Sequence, residues 1–271
     1  MMSALDRSSF ITHHSALGVW AVIVGIAVVI AATVASLRGL DPFPTWYYIF
    51  AWYGTLLAGA GAWVLVGGRS RSPETETPPP SGWRPGMGGR PGDSPPAPRW
   101  ISRRSLAFLI TLLAWSTISW LFFELLNFRL RNWYYVFVTN ELAARWIGTL
   151  VAFATVFPAL FLAEALLHRL GVAGCARSKP LRVGDTLLTR CQATGAVILV
   201  LTLVWPRMLF PLVWGAVTLL ADPAVYRRAP ERSLLGDLER GRPGRIFRLL
   251  LGGLGVGLLW ELFNMAARAR W

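Results

Sequence analysis

Long apolar runs separated by polar segments recur along most of the chain, and this pattern predicts membrane-spanning helices. A helix needs roughly 20 mainly apolar residues to cross the hydrocarbon core of a bilayer, which is about 30 Å thick. Several of the runs approach or exceed that length. We therefore predict an all-α integral membrane bundle of about seven transmembrane helices. The predicted helices span residues 16–37, 45–67, 104–128, 142–168, 186–205, 208–221 and 246–265.

The fifth and sixth predicted helices meet at prolines. Proline has no backbone N–H and its ring clashes with the preceding turn, so it ends or kinks a helix. We expect the fifth helix to stop near Pro206, and the sixth, which contains Pro211, to be short.

Composition and charge place these helices in a bilayer. Hydrophobic residues make up 54% of the 271 residues and charged residues only 15%, and the mean hydropathy is +0.48. Of the 27 basic residues, 20 fall at the N-terminus and in or beside the second, fourth and sixth loops. By the positive-inside rule this asymmetry predicts a cytoplasmic N-terminus in a bacterial inner membrane. The net charge of +13 is then expected to contact anionic lipid head groups, with no role in nucleic-acid binding.

A segment rich in proline and glycine follows the second helix. Residues 69–99 read "RSRSPETETPPPSGWRPGMGGRPGDSPPAPR" and hold too few aliphatic side chains to form a core of their own. We predict a cytoplasmic loop there. The chain then divides into residues 1–68 with the first two helices, the loop 69–103, residues 104–170 with the third and fourth helices, a basic cytoplasmic loop 171–185, and residues 186–271 with the last three helices.

Two of the predicted helices carry the same polar motif near their C-terminal ends. Residues 121–128 read "LFFELLNF" and residues 258–265 read "LLWELFNM". A weaker match joins "WYGTLLAGAGAWV" from residue 52 with "WGAVTLLADPAVY" from residue 214. We interpret these matches as a degenerate parallel tandem repeat about an axis along the membrane normal. The shared polar residues are Glu124, Asn127, Glu261 and Asn264.

The second unit of this predicted repeat has no counterpart of the fourth helix. Three explanations remain open: the helix was lost, it is truncated from this chain, or another protein takes its place. The chain ends at Trp271, the place equivalent to Trp133 in the first unit.

The doubled motif resembles that of an uncharacterised bacterial family of multi-pass membrane proteins. The residues that carry the resemblance are "FELLN" at 123–127 and "WELFN" at 260–264, with the aromatic segment "WYY" at 133–135. The resemblance implies a multi-pass fold whose second unit is closed by an eighth helix, and it implies no particular activity. The lack of that eighth helix is the clear departure from the family pattern.

Each Glu and Asn pair is spaced to share one helix face. Ionisable residues within a membrane are costly and usually face a bundle interior or a wet cavity, so we treat Glu124, Asn127, Glu261 and Asn264 as a candidate intramembrane polar site. In one interpretation the asparagines bond between helices and the carboxylates pair with nearby arginines. In the other, converging carboxylates share a proton and act on a ligand. We favour the first. The nearby arginines are Arg129, Arg131, Arg268 and Arg270.

Histidine is scarce, and this limits metal and cofactor chemistry. Glu164 and His168 form a candidate pair at the cytoplasmic end of the fourth helix, which we interpret as an i, i+4 ion pair. No histidine lies at mid-membrane depth, where haem and copper usually need imidazole ligands. We therefore predict no metal site and no cofactor of the protein's own. The aromatic content is compatible with a bound lipid, quinone or carotenoid.

Two functions fit these features. The first is a non-catalytic accessory subunit that packs against a larger membrane complex, such as a respiratory or photosynthetic energy-converting assembly. Its support is the lack of nucleotide, hydrolase and metalloprotease motifs and the incomplete second unit. The alternative is a lipid- or isoprenoid-handling enzyme or transporter in which Glu124 and Glu261 exchange protons. We favour the first, with membrane lipids and other membrane subunits as expected partners.

Overall fold

The computed structural model describes residues 4–69 and 103–271, with side chains described for residues 16–67 and 106–271. Within these ranges the chain is all-α and has no β-strand, which confirms the predicted fold class. Nearly all of the predicted loop 69–103 lies outside the described residues. The described α-helices are α1 (Ala4–Leu37), α2 (Phe43–Arg69), α3 (Arg103–Leu130), α4 (Leu142–Ala154), α5 (Val156–Arg169), α6 (Asp185–Val204), α7 (Pro206–Leu209), α8 (Leu212–Arg228), α9 (Leu234–Glu239) and α10 (Gly244–Ala266), and a 3-10 turn spans Pro230–Arg232.

Six segments of the described chain are long and apolar enough to cross a membrane. Five of them lie within single helices, namely α1, α2, α3, α6 and α10, and the sixth combines α4 with α5. They agree with six of the predicted helices. The multi-pass membrane character is thus supported, whereas the count of seven is not confirmed.

The sixth predicted helix lies later in the chain than its sequence suggested. α8 spans Leu212–Arg228 instead of residues 208–221. Pro206 begins the short α7 and Pro211 directly precedes α8, because proline is tolerated where the backbone N–H has no helical partner. With 17 residues, α8 is about 25 Å long at 1.5 Å per residue, which is less than the hydrocarbon core. It is not among the six segments.

The fourth predicted helix is broken near its middle, at Thr155. The hydroxyl of Ser116 on α3 donates to the carbonyl of Phe153 (2.6 Å) and accepts from the backbone N–H of Phe157 (3.1 Å). The indole of Trp52 on α2 donates to the Thr155 hydroxyl (2.9 Å). In lipid an unpaired backbone group costs several kcal/mol, so side chains of neighbouring helices make this break tolerable.

The two predicted repeat units begin with equivalent helix pairs, α1 on α2 and α6 on α8. A Cβ added to Gly25 would lie 2.4 Å from the carbonyl oxygen of Gly54, and one added to Gly195 would lie 2.9 Å from that of Ala216. Gly54 and Ala216 each follow by two residues the tryptophan that begins the aligned segments. Small residues let membrane helices approach backbone to backbone. The equivalent contacts are in line with the predicted tandem repeat.

The connections between helices gather at two ends of the bundle. At one end, backbone hydrogen bonds join Ser178 N–H to the Gly241 carbonyl (3.1 Å) and Leu181 N–H to the Leu238 carbonyl (3.0 Å). We call this the basic end and the opposite one the aromatic end. The basic end comprises residues 170–184 and 229–243, and the aromatic end comprises residues 38–42, 131–141, 205–211 and 267–271.

Candidate functional site

Asn127 and Asn264 hold the loops that follow their helices at the aromatic end. The side-chain amide of Asn127 donates to the carbonyl of Trp133 (2.6 Å), and its side-chain oxygen accepts from the backbone N–H of Trp133 (3.4 Å). Asn264 makes the same two bonds with Trp271, each 3.0 Å long. Each asparagine therefore fixes the backbone of one tryptophan, and both predicted repeat units use the same contact.

Glu124 and Glu261 accept hydrogen bonds from the indoles of those same tryptophans. The Trp133 indole donates to Glu124 at 3.0 Å, and the Trp271 indole donates to Glu261 at 3.5 Å. Glu124 also accepts a 2.6 Å hydrogen bond from the Tyr135 hydroxyl. Burial first, then the hydrogen bond to Glu124 and its charge, raises the pKa of Tyr135 well above the usual value. The phenol therefore stays protonated and remains a donor at neutral pH.

A short antiparallel backbone bridge joins the two loops. The N–H of Val136 donates to the carbonyl of Arg270 (2.7 Å), and the N–H of Arg270 donates to the carbonyl of Val136 (3.1 Å). The N–H of Arg268 donates to the carbonyl of Pro44 near the start of α2 (2.9 Å). The two Glu-Asn motifs are thereby brought together at the aromatic end. We call the two joined loops, residues 131–141 and 267–271, together with the charged residues beside them, the rim.

A cavity of about 910 Å³ lies beside this rim, among α2, α3, α4, the start of α5, α8, α10 and the two loops. Its volume is in the range typical of pockets for small molecules. Ala152, Phe153 and Val156 line it next to the break at Thr155, which is midway along the fourth span, so the cavity reaches hydrocarbon depth. The tryptophans in its wall are Trp46, Trp120, Trp133, Trp214, Trp260 and Trp271.

Few charged groups interrupt these aromatic walls. Arg145, Glu261 and Arg270 line the cavity and are exposed. The guanidinium of Arg145 donates from Nε and Nη2 to the carbonyl of Thr139, at 3.1 and 2.9 Å. The indole N–H of Trp260 is buried and has no hydrogen-bond partner within the described part of the chain. A buried donor without a partner is rare in folded proteins and costs about 1–3 kcal/mol.

Of the four residues in the predicted polar site, only Glu261 lines the cavity. Glu124 instead holds two residues of the cavity wall, Trp133 and Tyr135. Neither carboxylate forms a salt bridge with an arginine in the described ranges. Asn127 and Asn264 bond to their own loops rather than across helices. All four side chains therefore serve first to order the rim.

The carboxylate of Glu164 has a different partner from the one its sequence neighbours suggested. It accepts a 2.7 Å hydrogen bond from Nε of Arg248 and so joins α5 to α10. The two side chains are 20% and 10% exposed, whereas His168 is exposed. The predicted ion pair with His168 is replaced by one between helices, because a guanidinium from the facing helix reaches the carboxylate where water does not compete.

Metal ligands do not gather in the described side chains: no group of three or more His, Cys, Asp or Glu residues could hold a metal ion there. His13 and His14 lie outside the side chains that the structure describes. The expectation that the protein has no cofactor of its own stays a prediction.

Sequence reasoning missed Arg145 and Trp260. Arg145 is a charged residue within an apolar helix, and the rule that singled out Glu124 would have found it as well. Trp260 carries no comparable signal, because tryptophan is common near the ends of membrane helices. Its place in the cavity wall depends on how α10 packs against α2 and α3, whose Trp52 and Trp120 rings contact it.

Replacing Glu124 with alanine is expected to loosen the loop 131–137. The change leaves the Trp133 indole and the Tyr135 hydroxyl without their shared acceptor, at a cost of about 1–3 kcal/mol. Hydrogen–deuterium exchange of that loop in detergent should speed up accordingly. Glu141→Ala is the matched control, because this exposed glutamate follows the same loop and its carboxylate makes no hydrogen bond within the described residues. Equal exchange in the two variants would contradict the proposed holding role of Glu124.

Comparison with known proteins does not identify a family for this chain. No family model, no curated protein and no solved structure matches the chain. The resemblance to a bacterial multi-pass family stays a prediction. Function is therefore inferred from the cavity, its charged rim and its depth in the bundle.

Proposed function

We propose that the protein is an integral membrane protein that binds an amphipathic lipid or isoprenoid in the cavity at its aromatic end, without transforming it chemically. The observation that carries the proposal is a cavity of about 910 Å³ whose wall passes from charged rim residues to apolar residues at hydrocarbon depth. A ligand with a polar head and an apolar chain matches that gradient. A wholly apolar carotenoid would leave the charged rim side chains against hydrocarbon.

The aromatic wall supports a binding role for flexible chains. Trp120 and Trp260 pack edge to face with ring centroids 5.2 Å apart, and Trp260 also contacts Trp52 at 5.6 Å. Rings locked against one another present a fixed apolar surface and lose little conformational entropy when a ligand binds. The wall is therefore suited to receive a chain that is itself flexible.

Binding without catalysis follows from the way the carboxylates are used. A general acid or base must reach the proton that it transfers. The Glu124 side chain is bonded to Trp133 and Tyr135 of its own loop, which favours an ordering role over proton exchange with Glu261. Bound lipid is thus our preferred ligand class, and the proton-exchange hypothesis is the less favoured one.

The predicted role as a non-catalytic subunit of a larger complex is compatible with this proposal, and the partner complex stays a hypothesis. We also propose that the basic end faces the cytoplasm of a bacterial inner membrane, with the N-terminus on that side. The support is the distribution of arginines along the chain.

Filling the cavity is expected to abolish lipid binding. Ala152 lines the wall, and Ala152→Phe would add a ring within the space that a lipid chain occupies. Native mass spectrometry of the detergent-solubilised full chain, titrated with dioleoylphosphatidylglycerol, measures the effect. The affinity for the first bound lipid should fall at least about tenfold, or 1.4 kcal/mol. Thr149→Phe, on the same wall, should have the same effect.

Ala143→Phe is the matched control, because Ala143 is exposed on the same helix and is not among the residues that line the cavity. Its first bound lipid should keep the wild-type affinity. Equal affinities for the Ala152 and Ala143 variants, with circular dichroism showing that both are folded, would overturn the proposed function.

A further inference from the structure

Two charged residues of the cavity lining, one from each predicted repeat unit, are bonded to the same loop. Arg145 belongs to α4, and its guanidinium is bound to the carbonyl of Thr139. Arg270 follows α10, and its backbone is bridged to Val136. Val136 and Thr139 are three residues apart in the same loop and both line the cavity. The same loop therefore holds the Arg145 side chain and the Arg270 backbone beside the cavity.

Both guanidinium groups retain hydrogen-bond donors. Arg145 uses Nε and Nη2 on one carbonyl, which leaves its Nη1 without a hydrogen bond or salt bridge to any residue that the structure describes. The Arg270 side chain likewise has no such partner in residues 16–67 and 106–271. Guanidinium donors form a planar fork that matches the oxygens of a phosphate.

Glu261 is the remaining charged side chain in the lining, so the charged side chains of the lining, two arginines and one glutamate, carry a net charge of +1. Its only hydrogen bond to a described residue is the long one from the Trp271 indole, at 3.5 Å. The carboxylate therefore has capacity to accept from a hydroxyl or ammonium group in the same ligand. A phosphate diester with such a donor beyond it complements all three side chains.

We infer that the ligand of this cavity is a membrane lipid with a phosphate in its head group, and that Arg145 and Arg270 bind that phosphate at the rim. This inference rests on the proposed function and adds the chemistry of the head group to it. The apolar chains lie in the cavity against Trp120, Phe153 and Trp260. The phosphate lies at the aromatic end, where an interfacial head group would be found.

The inference is tested with two probes that differ only in the head group. Native mass spectrometry of the full chain should show that dioleoylphosphatidylglycerol binds at least about tenfold more tightly than dioleoylglycerol, which has the same chains and no phosphate. Arg145→Gln and Arg270→Gln should each weaken the phosphatidylglycerol complex by about tenfold and leave the dioleoylglycerol complex unchanged. Such losses correspond to one charge-assisted hydrogen bond to a phosphate.

Arg207→Gln is the matched control, since Arg207 lies exposed at the same end and is not part of the cavity lining. It should bind both probes like the wild type. The Arg145 variant could lose binding because the loop is no longer held, since Arg145 bonds the Thr139 carbonyl. The Arg270 side chain bonds no described residue, so a loss of binding in Arg270→Gln reports the contact with the ligand. Excess inorganic phosphate should fail to displace the lipid; displacement by it would identify a free-phosphate site and overturn the inference.

The test separates the head-group inference from the proposed function. Equal affinity for the two probes would contradict the phosphate assignment. A loss of phosphatidylglycerol affinity in Arg207→Gln as large as that in Arg145→Gln would contradict it as well. In that case the Ala152→Phe effect would still stand if the cavity binds apolar chains. Equal lipid affinities of the Ala152→Phe and Ala143→Phe variants would instead contradict the proposal that lipid binds in this cavity.

Discussion

Replacing Arg248 with leucine is expected to lower the free energy of unfolding by about 3–5 kcal/mol. The change leaves the Glu164 carboxylate, only 20% exposed, between α5 and α10 without its 2.7 Å partner. Removing one member of a buried ion pair costs far more than the pair itself contributes, because the remaining charge has lost its hydration and gained nothing. Unfolding in mixed micelles with increasing sodium dodecyl sulfate, followed by far-ultraviolet circular dichroism, measures the loss.

Two companion variants make this prediction specific. Arg232→Leu is the matched control, because its partner Glu231 is 3.7 Å away and the two side chains are 80% and 66% exposed; an exposed pair contributes about 0–1 kcal/mol. Adding Glu164→Leu to Arg248→Leu should restore most of the lost stability, since removal of both charges is often neutral. Equal losses for the Arg248 and Arg232 variants would show that the pair between α5 and α10 is not buried in the membrane-bound protein.

Replacing Gly25 with alanine is expected to destabilise the α1–α2 pair, although alanine is the better helix former. The new Cβ would lie 2.4 Å from the carbonyl oxygen of Gly54 and 2.5 Å from the backbone nitrogen of Ala58. Both are backbone atoms, so no side chain can move aside and the two helices must separate. Overpacking of this kind costs about 1–3 kcal/mol, occasionally more, and exceeds the gain of up to about 1 kcal/mol in helix propensity.

The same substitution at Gly255 supplies the control. Gly255 lies on α10 and no heavy atom comes within 4 Å of a Cβ placed there. Gly255→Ala should therefore be neutral or stabilising by up to about 1 kcal/mol. Thermal unfolding of the two variants in the same detergent compares them directly, and a Gly25 variant as stable as the Gly255 variant would mean that α1 and α2 do not pack at this distance.

The doubled motif has a clear structural meaning in this fold. In each unit a glutamate accepts from an indole and an asparagine fixes the backbone of the same tryptophan. The backbone bridge between Val136 and Arg270 then joins the two loops. Of the two glutamates that sequence reasoning considered as an acid–base pair, Glu124 thus holds two residues of the cavity wall and Glu261 lines the cavity. The other charged residues in the lining are Arg145 and Arg270.

Three of the expectations that differ from the structure do so for clear physical reasons. α8 begins after Pro211 because proline is accepted at a helix start. The break at Thr155 is stabilised by Ser116 and Trp52 from other helices, so no local signal marked it. Glu164 binds Arg248, which lies 84 residues later in the chain, because pairing across helices depends on packing and not on helical periodicity.

The sequence by itself determined that this is an all-α membrane protein, where six of its spans lie, and which helices carry a repeated polar motif. These features follow from local physics, since a bilayer demands long apolar helices whose backbone groups are paired within the segment. Only the tertiary structure decided that the two motifs share one rim, that a cavity lies beside it, and which arginines line that cavity. A cavity is formed by side chains from distant parts of the chain, and their convergence depends on backbone approaches, such as that of Gly25 to Gly54, which the residue types alone do not specify.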